Sequence, residues 1–177
     1  MRRLGVTPVV TADPEALRGA DKVIFPGVGE ALTTMAYLRE RALDRVILGL
    51  RQPVLGICLG MQLMCERSEE GDTDCLGIFP APVRRFVPRE HADKVPHMGW
   101  NTLENVRSGL FDESLEGAFV YFVHSYYVPV NDYTAATTEY ILPFSAALRK
   151  DNFYATQFHP EKSGSIGERI LENFLRL

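Results

Sequence analysis

The chain has 177 residues, 46% of them hydrophobic, a size that suits one domain with a sizeable core. Nineteen basic against 23 acidic residues leave a net charge of −4, which gives no electrostatic footprint for nucleic acid. Three cysteines at 58, 65 and 75, with no pair spaced two apart, argue against a disulfide framework or a zinc knuckle and suit a reducing cytoplasm. No apolar run reaches the length of a membrane span, about 18 residues, and MRRLGVTPVV lacks the apolar core of a signal peptide.

In chain order, Arg2-Arg3-Leu4-Gly5 reads as the tail of a helix, basic in its last turn with glycine beyond it. Thr7 to Thr11 and Lys22 to Phe25 are expected to be short strands, with a small helix opened by Asp13-Pro14 between them. Glu30 to Leu50 has helical spacing and a predicted break near Arg41. The apolar run Pro53 to Ile57 predicts a buried strand, and Leu59, Gln62, Leu63 and Glu66 then fall at helical offsets, which would place Cys65 in helix core and leave Cys75 in a loop. Phe119 to Val123, Thr134 to Tyr140, Ser145 to Arg149 and Tyr154 to Phe158 are strand-like. Ser165 to Leu177 closes the chain as an amphipathic helix with Ile166, Ile170 and Phe174 on one side. Strands alternating with helices imply a parallel sheet covered on both faces, and the strand-rich second half makes the expected fold a mixed α/β sheet.

Cys58 stands where the apolar strand turns into the helix, with Gly56 and Gly60 two residues away on either side. This is the spacing of a nucleophile elbow, a strand-to-helix turn too crowded for side chains, here with sulfur in place of oxygen. Such a turn exposes the thiol at the carboxyl edge of a sheet and leaves the N–H of Leu59 free to face a developing oxyanion. GICLG alone fits a buried structural cysteine equally well. A cysteine nucleophile also needs a base, and the base an orienting group. Of the four histidines, His91 lies in a charged loop, and His97 and His124 border aromatic segments where a hydrogen-bonded structural role is expected. His159 follows a strand and precedes Glu161 by two residues, so both side chains point the same way in extended backbone, with Pro160 fixing the bend. Taken alone, that pair fits a structural carboxylate–histidine contact too.

The segments PGVG at 26–29, GICLGMQ at 56–62 and QFHPEKSG at 157–164 together resemble the class I glutamine amidotransferases. PHMGWN at 96–101, YFVHSYY at 121–127, TTEY at 137–140 and methionine before Gln62 resemble the family of glutaminase subunits of imidazole glycerol phosphate synthase. The resemblance runs from Leu4 to the C-terminus. It implies a three-layer, flavodoxin-like α/β fold with a mixed, mainly parallel sheet, a Cys58–His159–Glu161 triad and neither cofactor nor metal. It further implies an oxyanion hole from Leu59 with Val28 or Gly29, and L-glutamine held by Gln62, Glu70, Ser125 and Tyr126. Trp100, Asn101 and Lys162 match the edge that faces the partner, a (β/α)₈-barrel cyclase joined in a heterodimer and fed with ammonia for histidine biosynthesis. For Trp100, ordinary core packing is the competing expectation.

Residues 1–177 are read as one amidotransferase domain, N-terminally incomplete, because the family begins with an apolar strand, a glycine-rich turn and a helix that RRLGVTPVV lacks. That leads to the expectation that the strands at 7–11 and 22–25 either pair directly or leave a gap between them. A cysteine hydrolase sharing the elbow, an inactive partner-binding module and a dinucleotide-binding protein are the rival readings; Gly27-Val28-Gly29 lacks the third glycine that the last would need.

Overall fold

Strands alternate with helices in the first third of the chain, with one expected strand missing from the series. A computed structural model describes residues 1–107 and 109–177, the side chain of Arg2 excepted. Arg2–Leu4 form one 3₁₀ turn, ended by Gly5 at φ +75°. The strand expected at Thr7 to Thr11 does not form. Val9 and Val10 are 79% and 98% exposed, so this segment has β-type residues but no face to bury against a neighbour. Helix α1 (Pro14–Arg18) starts at Asp13, whose carboxylate accepts the N–H of Glu15.

Strand β1 (Val23–Gly27) leads into α2 (Ala31–Glu40) and α3 (Leu43–Leu48), and the break expected near Arg41 falls at Ala42, whose φ is +56°. Strand β2 (Val54–Cys58) runs directly into α4 (Leu59–Leu63). That helix is shorter than its spacing suggests. Cys65, expected in helix core, instead begins β3 (Cys65–Ser68), where it is buried opposite Phe79, and Glu66 is exposed on the same strand. The apolar run continues past the helix because the strand that follows is itself anchored in the core. The chain continues through β4 (Thr73–Asp74), β5 (Phe79–Arg85), β6 (His97–Thr102), β7 (Phe119–His124), β8 (Tyr126–Tyr127), β9 (Thr134–Tyr140), β10 (Leu142–Lys150), β11 (Phe153–Thr156) and α5 (Gly164–Arg176).

The central sheet has the order β1-β2-β11-β10-β9. Its first two pairings are parallel and its last two antiparallel, so the sheet is mixed. Strand β1 forms its edge, with no strand on its outer side among the described residues. Alternation along β2 divides the core into two. Val54 packs with Met35, Leu38 and Val46 of the α2–α3 side, whereas Leu55 and Ile57 pack with Phe122, Ile170 and Phe174 of the α5 side. Two smaller sheets, β4-β3-β5-β8 and the β6–β7 hairpin, flank this three-layer body. No helix among the described residues is long and apolar enough to cross a membrane.

The passage from β2 to α4 sets the tightest packing limit. A Cβ at Gly60 would lie 2.1 Å from the Phe25 carbonyl oxygen, and one at Gly27 would lie 2.3 Å from the Gly60 nitrogen. Both obstacles are backbone atoms, which cannot step aside as a side chain can. Gly60→Ala is therefore expected to cost about 2 kcal/mol, within the overpacking range. Urea unfolding of the two proteins measures this, and a loss below about 0.5 kcal/mol would mean that strand and helix separate without penalty.

Candidate active site

Cys58 takes φ +54° and ψ −108°, a conformation for which a residue with a side chain needs enforcement by its surroundings. The enforcement is the close approach of Gly56, Gly60 and Gly27 around the turn. The elbow spacing accounts for the first two. Gly27 carries an additional demand that the sequence did not single out, because it reflects a contact between separate strands. The outcome is a half-buried thiol at the carboxyl end of β2.

Parallel pairing then brings the other candidate groups to the same end. Gly27 is opposite Cys58 in the β1–β2 ladder, so Val28 and Gly29 leave the sheet beside the sulfur. Val28 is 88% exposed, and Gly29 has φ +109°, a conformation glycine adopts without a Cβ penalty. On the other side Thr156 is opposite Ile57, so the chain beyond β11 passes Cys58 as Gln157-Phe158-His159. Ser163 holds this passage: its hydroxyl donates to the His159 carbonyl at 2.6 Å and accepts the Tyr121 N–H at 3.0 Å. The His159 N–H donates to the Tyr121 carbonyl at 2.9 Å.

His159 Nδ1–H donates to Glu161 Oε1 at 2.7 Å. Its Nε2 is buried without a nitrogen or oxygen partner among the described residues. Cys58 beside it and Glu161 behind it raise the imidazole from 6.5 to about 9, more than offsetting the opposing effect of burial. The surroundings thus favour the imidazolium over the neutral ring. Partial burial works against ionisation of Glu161, yet the hydrogen bond to His159 holds its carboxyl below the usual range. By contrast, burial pushes the Cys65 thiol well up and the Cys75 thiol to about 11, so both keep their protons at neutral pH.

The sulfur of Cys58 has two further neighbours. Its S–H is directed at the Val123 carbonyl at 3.9 Å, and Gln157 Nε2 donates to it from 3.7 Å. Gln62, buried on α4, donates through Nε2 to Gln157 Oε1 at 2.9 Å and to the Tyr126 carbonyl at 3.1 Å. Gln157 was not a candidate in the sequence, although it opens the QFHPEKSG segment two residues before His159. Ser125, just before Tyr126, uses its carbonyl to accept the Phe86 N–H. Glu70 stands apart from this group: its carboxylate accepts the Ala31 N–H at 2.8 Å and so anchors the start of α2, one residue beyond the PGVG-E turn. A cleft of about 270 Å³ opens beside His159 and Glu161, floored by Ile24 and Ile57 and walled by Pro26, Gly27 and Val28.

Trp100 and Asn101 lie on β6, paired with Tyr121 and Val120 of β7. Trp100 is 54% exposed and stacks edge-on against Tyr121, which rules out core packing for this residue. Asn101 is half-buried, and Lys162 is exposed directly after Glu161.

Because the folded pKa of His159 is raised, its contribution to stability is fully present below pH 6.5 and is lost as pH rises through about 9. Titration of the ring by NMR is expected to show that high midpoint, and Cys58→Ala, which removes the largest cause, should move it downward. A midpoint near 6.5 in the unaltered protein would contradict the assigned environment.

Residues 3–177 match the glutamine amidotransferase class-I family. The imidazole glycerol phosphate synthase subunit HisH of Bacteroides fragilis (strain YCH46) is 68% identical over 177 residues, covering 100% of this chain and 90% of that protein. The protein of the same name from Bacteroides thetaiotaomicron matches with the same 68% identity and the same coverage of both chains. A solved structure described as a glutamine amidotransferase shares the fold, with a TM-score of 0.70 at 20% identity over 99% of this chain and 88% of that one. The elbow, the sheet and the matched length lead to one conclusion: this chain belongs to the class-I glutamine amidotransferase family.

Proposed function

We propose that this protein is the glutaminase subunit of an imidazole glycerol phosphate synthase, a cytoplasmic subunit that acts as one amidotransferase domain and supplies ammonia to a (β/α)₈-barrel cyclase in a heterodimer. The observation that carries the reading is the 68% identity to HisH proteins across all 177 residues. In support, Cys58, His159 and Glu161 converge at the carboxyl edge of the sheet, and the three cysteines are free thiols.

In this reading the Cys58 thiol yields its proton to His159 Nε2 and the sulfur attacks the side-chain amide carbon of L-glutamine, forming a carbon–sulfur bond as the carbonyl oxygen takes up negative charge. The N–H of Leu59, together with Val28 or Gly29, stabilises that oxyanion. Protonated His159 delivers its proton to the departing nitrogen, releasing ammonia and leaving a glutamyl thioester. The neutral ring then takes a proton from water, whose oxygen attacks the thioester, and returns it to the departing sulfur, which gives glutamate and restores the thiol. Glu161 fixes the ring through Nδ1 and stabilises each imidazolium stage. Gln62, Ser125 and Tyr126 bind glutamine. Glu70 bears on the site by holding the start of α2 next to the oxyanion turn.

Cys58→Ala should abolish glutamate release while leaving thermal unfolding little changed, since the residue supplies chemistry more than packing. His159→Ala should lower the rate by a comparable factor, because members of a catalytic unit are not additive, and Glu161→Gln should cost less. Ordinary turnover by Cys58→Ala would overturn the mechanism.

A second expectation concerns the partner. If the turn at Val28 and Gly29 rests with a carbonyl in the oxyanion position, the isolated subunit binds glutamine and hydrolyses it slowly. The cyclase and its ligand must then favour the flipped turn through differential affinity. Glutamate release measured with and without the cyclase decides this, and equally high rates in both conditions would exclude a resting inactive turn.

A further inference from the structure

His97 and His124 face each other across the β6–β7 hairpin, their rings edge-on at 62°, and their hydrogen bonds have only one consistent direction. His124 Nδ1 lies 2.7 Å from the Tyr126 carbonyl, which can only accept, so Nδ1 carries the proton. His124 Nε2 lies 3.1 Å from His97 Nδ1. Burial lowers His97 to about 4 and His124 to about 3; for His124 the Tyr126 carbonyl opposes this, while His97 and the imidazolium of His159 add to it. Both rings are therefore neutral at pH 7, with His124 Nε2 an acceptor and His97 Nδ1–H its donor. The remaining nitrogen, His97 Nε2, then accepts from Asn101 Nδ2 at 3.4 Å, and the same amide donates to the Glu139 carbonyl at 3.0 Å.

The Tyr126 carbonyl is held from two sides, by His124 and by Gln62 Nε2, and Gln62 continues through Gln157 to the Cys58 sulfur. A single hydrogen-bonded chain thus leads from Asn101, at the hairpin edge, to the candidate nucleophile. Aromatic rings surround the histidine pair: His97 stacks on Tyr140 at 4.0 Å and on Phe122 at 4.9 Å, and Phe86 and Phe144 pack edge-on or tilted against His124. In that setting an unpaired ring nitrogen would have no water to turn to.

We propose that His97 and His124 are positioning residues of the glutamine-hydrolysing site, which fix the Ser125–Tyr126 segment through the Tyr126 carbonyl, with Asn101 as the surface end of the chain. This rests on the proposed glutaminase reading, in which that segment closes over the substrate. The chain acts on substrate binding more than on bond breaking, because it ends on the main chain of the binding segment and reaches the sulfur only through Gln157.

The test compares His97→Phe with His97→Asn, each in complex with the cyclase. Phenylalanine keeps the stacking on Tyr140 and Phe122 but lacks the donor. Asparagine loses the stacking, yet its amide nitrogen occupies the place of Nδ1 and restores the donor. The KM for glutamine is expected to rise about tenfold in His97→Phe, with kcat changed less than about threefold, and to return to within about threefold of the parent in His97→Asn. A parental KM in His97→Phe, or a worse KM in His97→Asn than in His97→Phe, would mean that the ring is packing alone and would overturn the proposal. Long-range ¹H–¹⁵N spectra of the unaltered protein at pH 7 give a readout independent of activity. Two neutral rings, both protonated at Nδ1, are expected, and a charged ring or an Nε2–H tautomer at either position would overturn the proposal by itself. Absence of glutaminase activity in the unaltered complex would instead refute the functional reading, and the tautomers would still decide whether the chain exists.

Discussion

Everything at the candidate site depends on how closely the backbone of α4 approaches the end of β1. With no Cβ at Gly60 or Gly27, the first turn of the helix can lie against the Phe25 carbonyl and the chain can reverse within one residue of β2. That reversal forces Cys58 into positive φ and lifts its sulfur above the sheet edge. The parallel register does the rest: Gly27 opposite Cys58 and Thr156 opposite Ile57 deliver the glycine turn and the His159 loop to the two sides of one atom. Two residues of slack in either strand would move its loop by about 6–7 Å, beyond hydrogen-bonding reach.

The loop carrying His159 is as tightly determined as the elbow, by different means. The Pro160–Lys162 turn is short, and a Cβ at Gly167 of α5 would lie 1.8 Å from the Pro160 carbonyl oxygen. Helix α5 therefore seats directly on the segment between His159 and Glu161, while Ile170 and Phe174 on the same helix are fully buried in the core. Ser163 ties the His159 carbonyl to the Tyr121 N–H from below. Packing energy spread over a long amphipathic helix is in this way focused on the angle between one imidazole and one carboxylate. The support is rigid, and it holds the His159 ring against Glu161 at 2.7 Å.

The parts of this plan that were legible in the sequence are those whose cause is local. Gly56 and Gly60 around Cys58, the His159-Pro160-Glu161 spacing, the break between α2 and α3 and the apolar stripe of α5 all follow from short-range sterics and periodicity. The illegible parts depend on what a distant segment supplies. Thr7 to Thr11 has strand-forming residues but no pairing partner, and α4 stops at Leu63 because Cys65 pairs with β5. Gln157 reads as one more strand-end residue until α4 places Gln62 against it. Likewise His97 and His124, 27 positions apart, become a pair only through the register of the β6–β7 hairpin. Trp100 is the reverse case: its type suits core, and only the alternation of the hairpin shows it facing outward.

That hairpin connects the outer surface to Cys58 and His159 with very little intervening material. On β7 the side chains of Val120, Phe122 and His124 point into the core, and those of Phe119, Tyr121 and Val123 line the opposite, more open face. Met98 and Trp100 of β6 lie beside Val123 and Tyr121 on that face, with Met98 63% and Trp100 54% exposed. A strand has only one backbone for both faces, and here its carbonyls are already committed: Tyr121 accepts the N–H of His159, and Val123 accepts the thiol of Cys58. Any protein seated on Met98 and Trp100 would therefore press on the same strand that contacts Cys58 and His159. A shift of β7 under such a load would change the spacing of Cys58 and His159, since hydrogen bonds to a rigid strand follow its movement directly. The coupling would require two distinguishable settings of the hairpin, and its buried face, pinned by Phe122 and the histidine pair, limits how far those settings can differ.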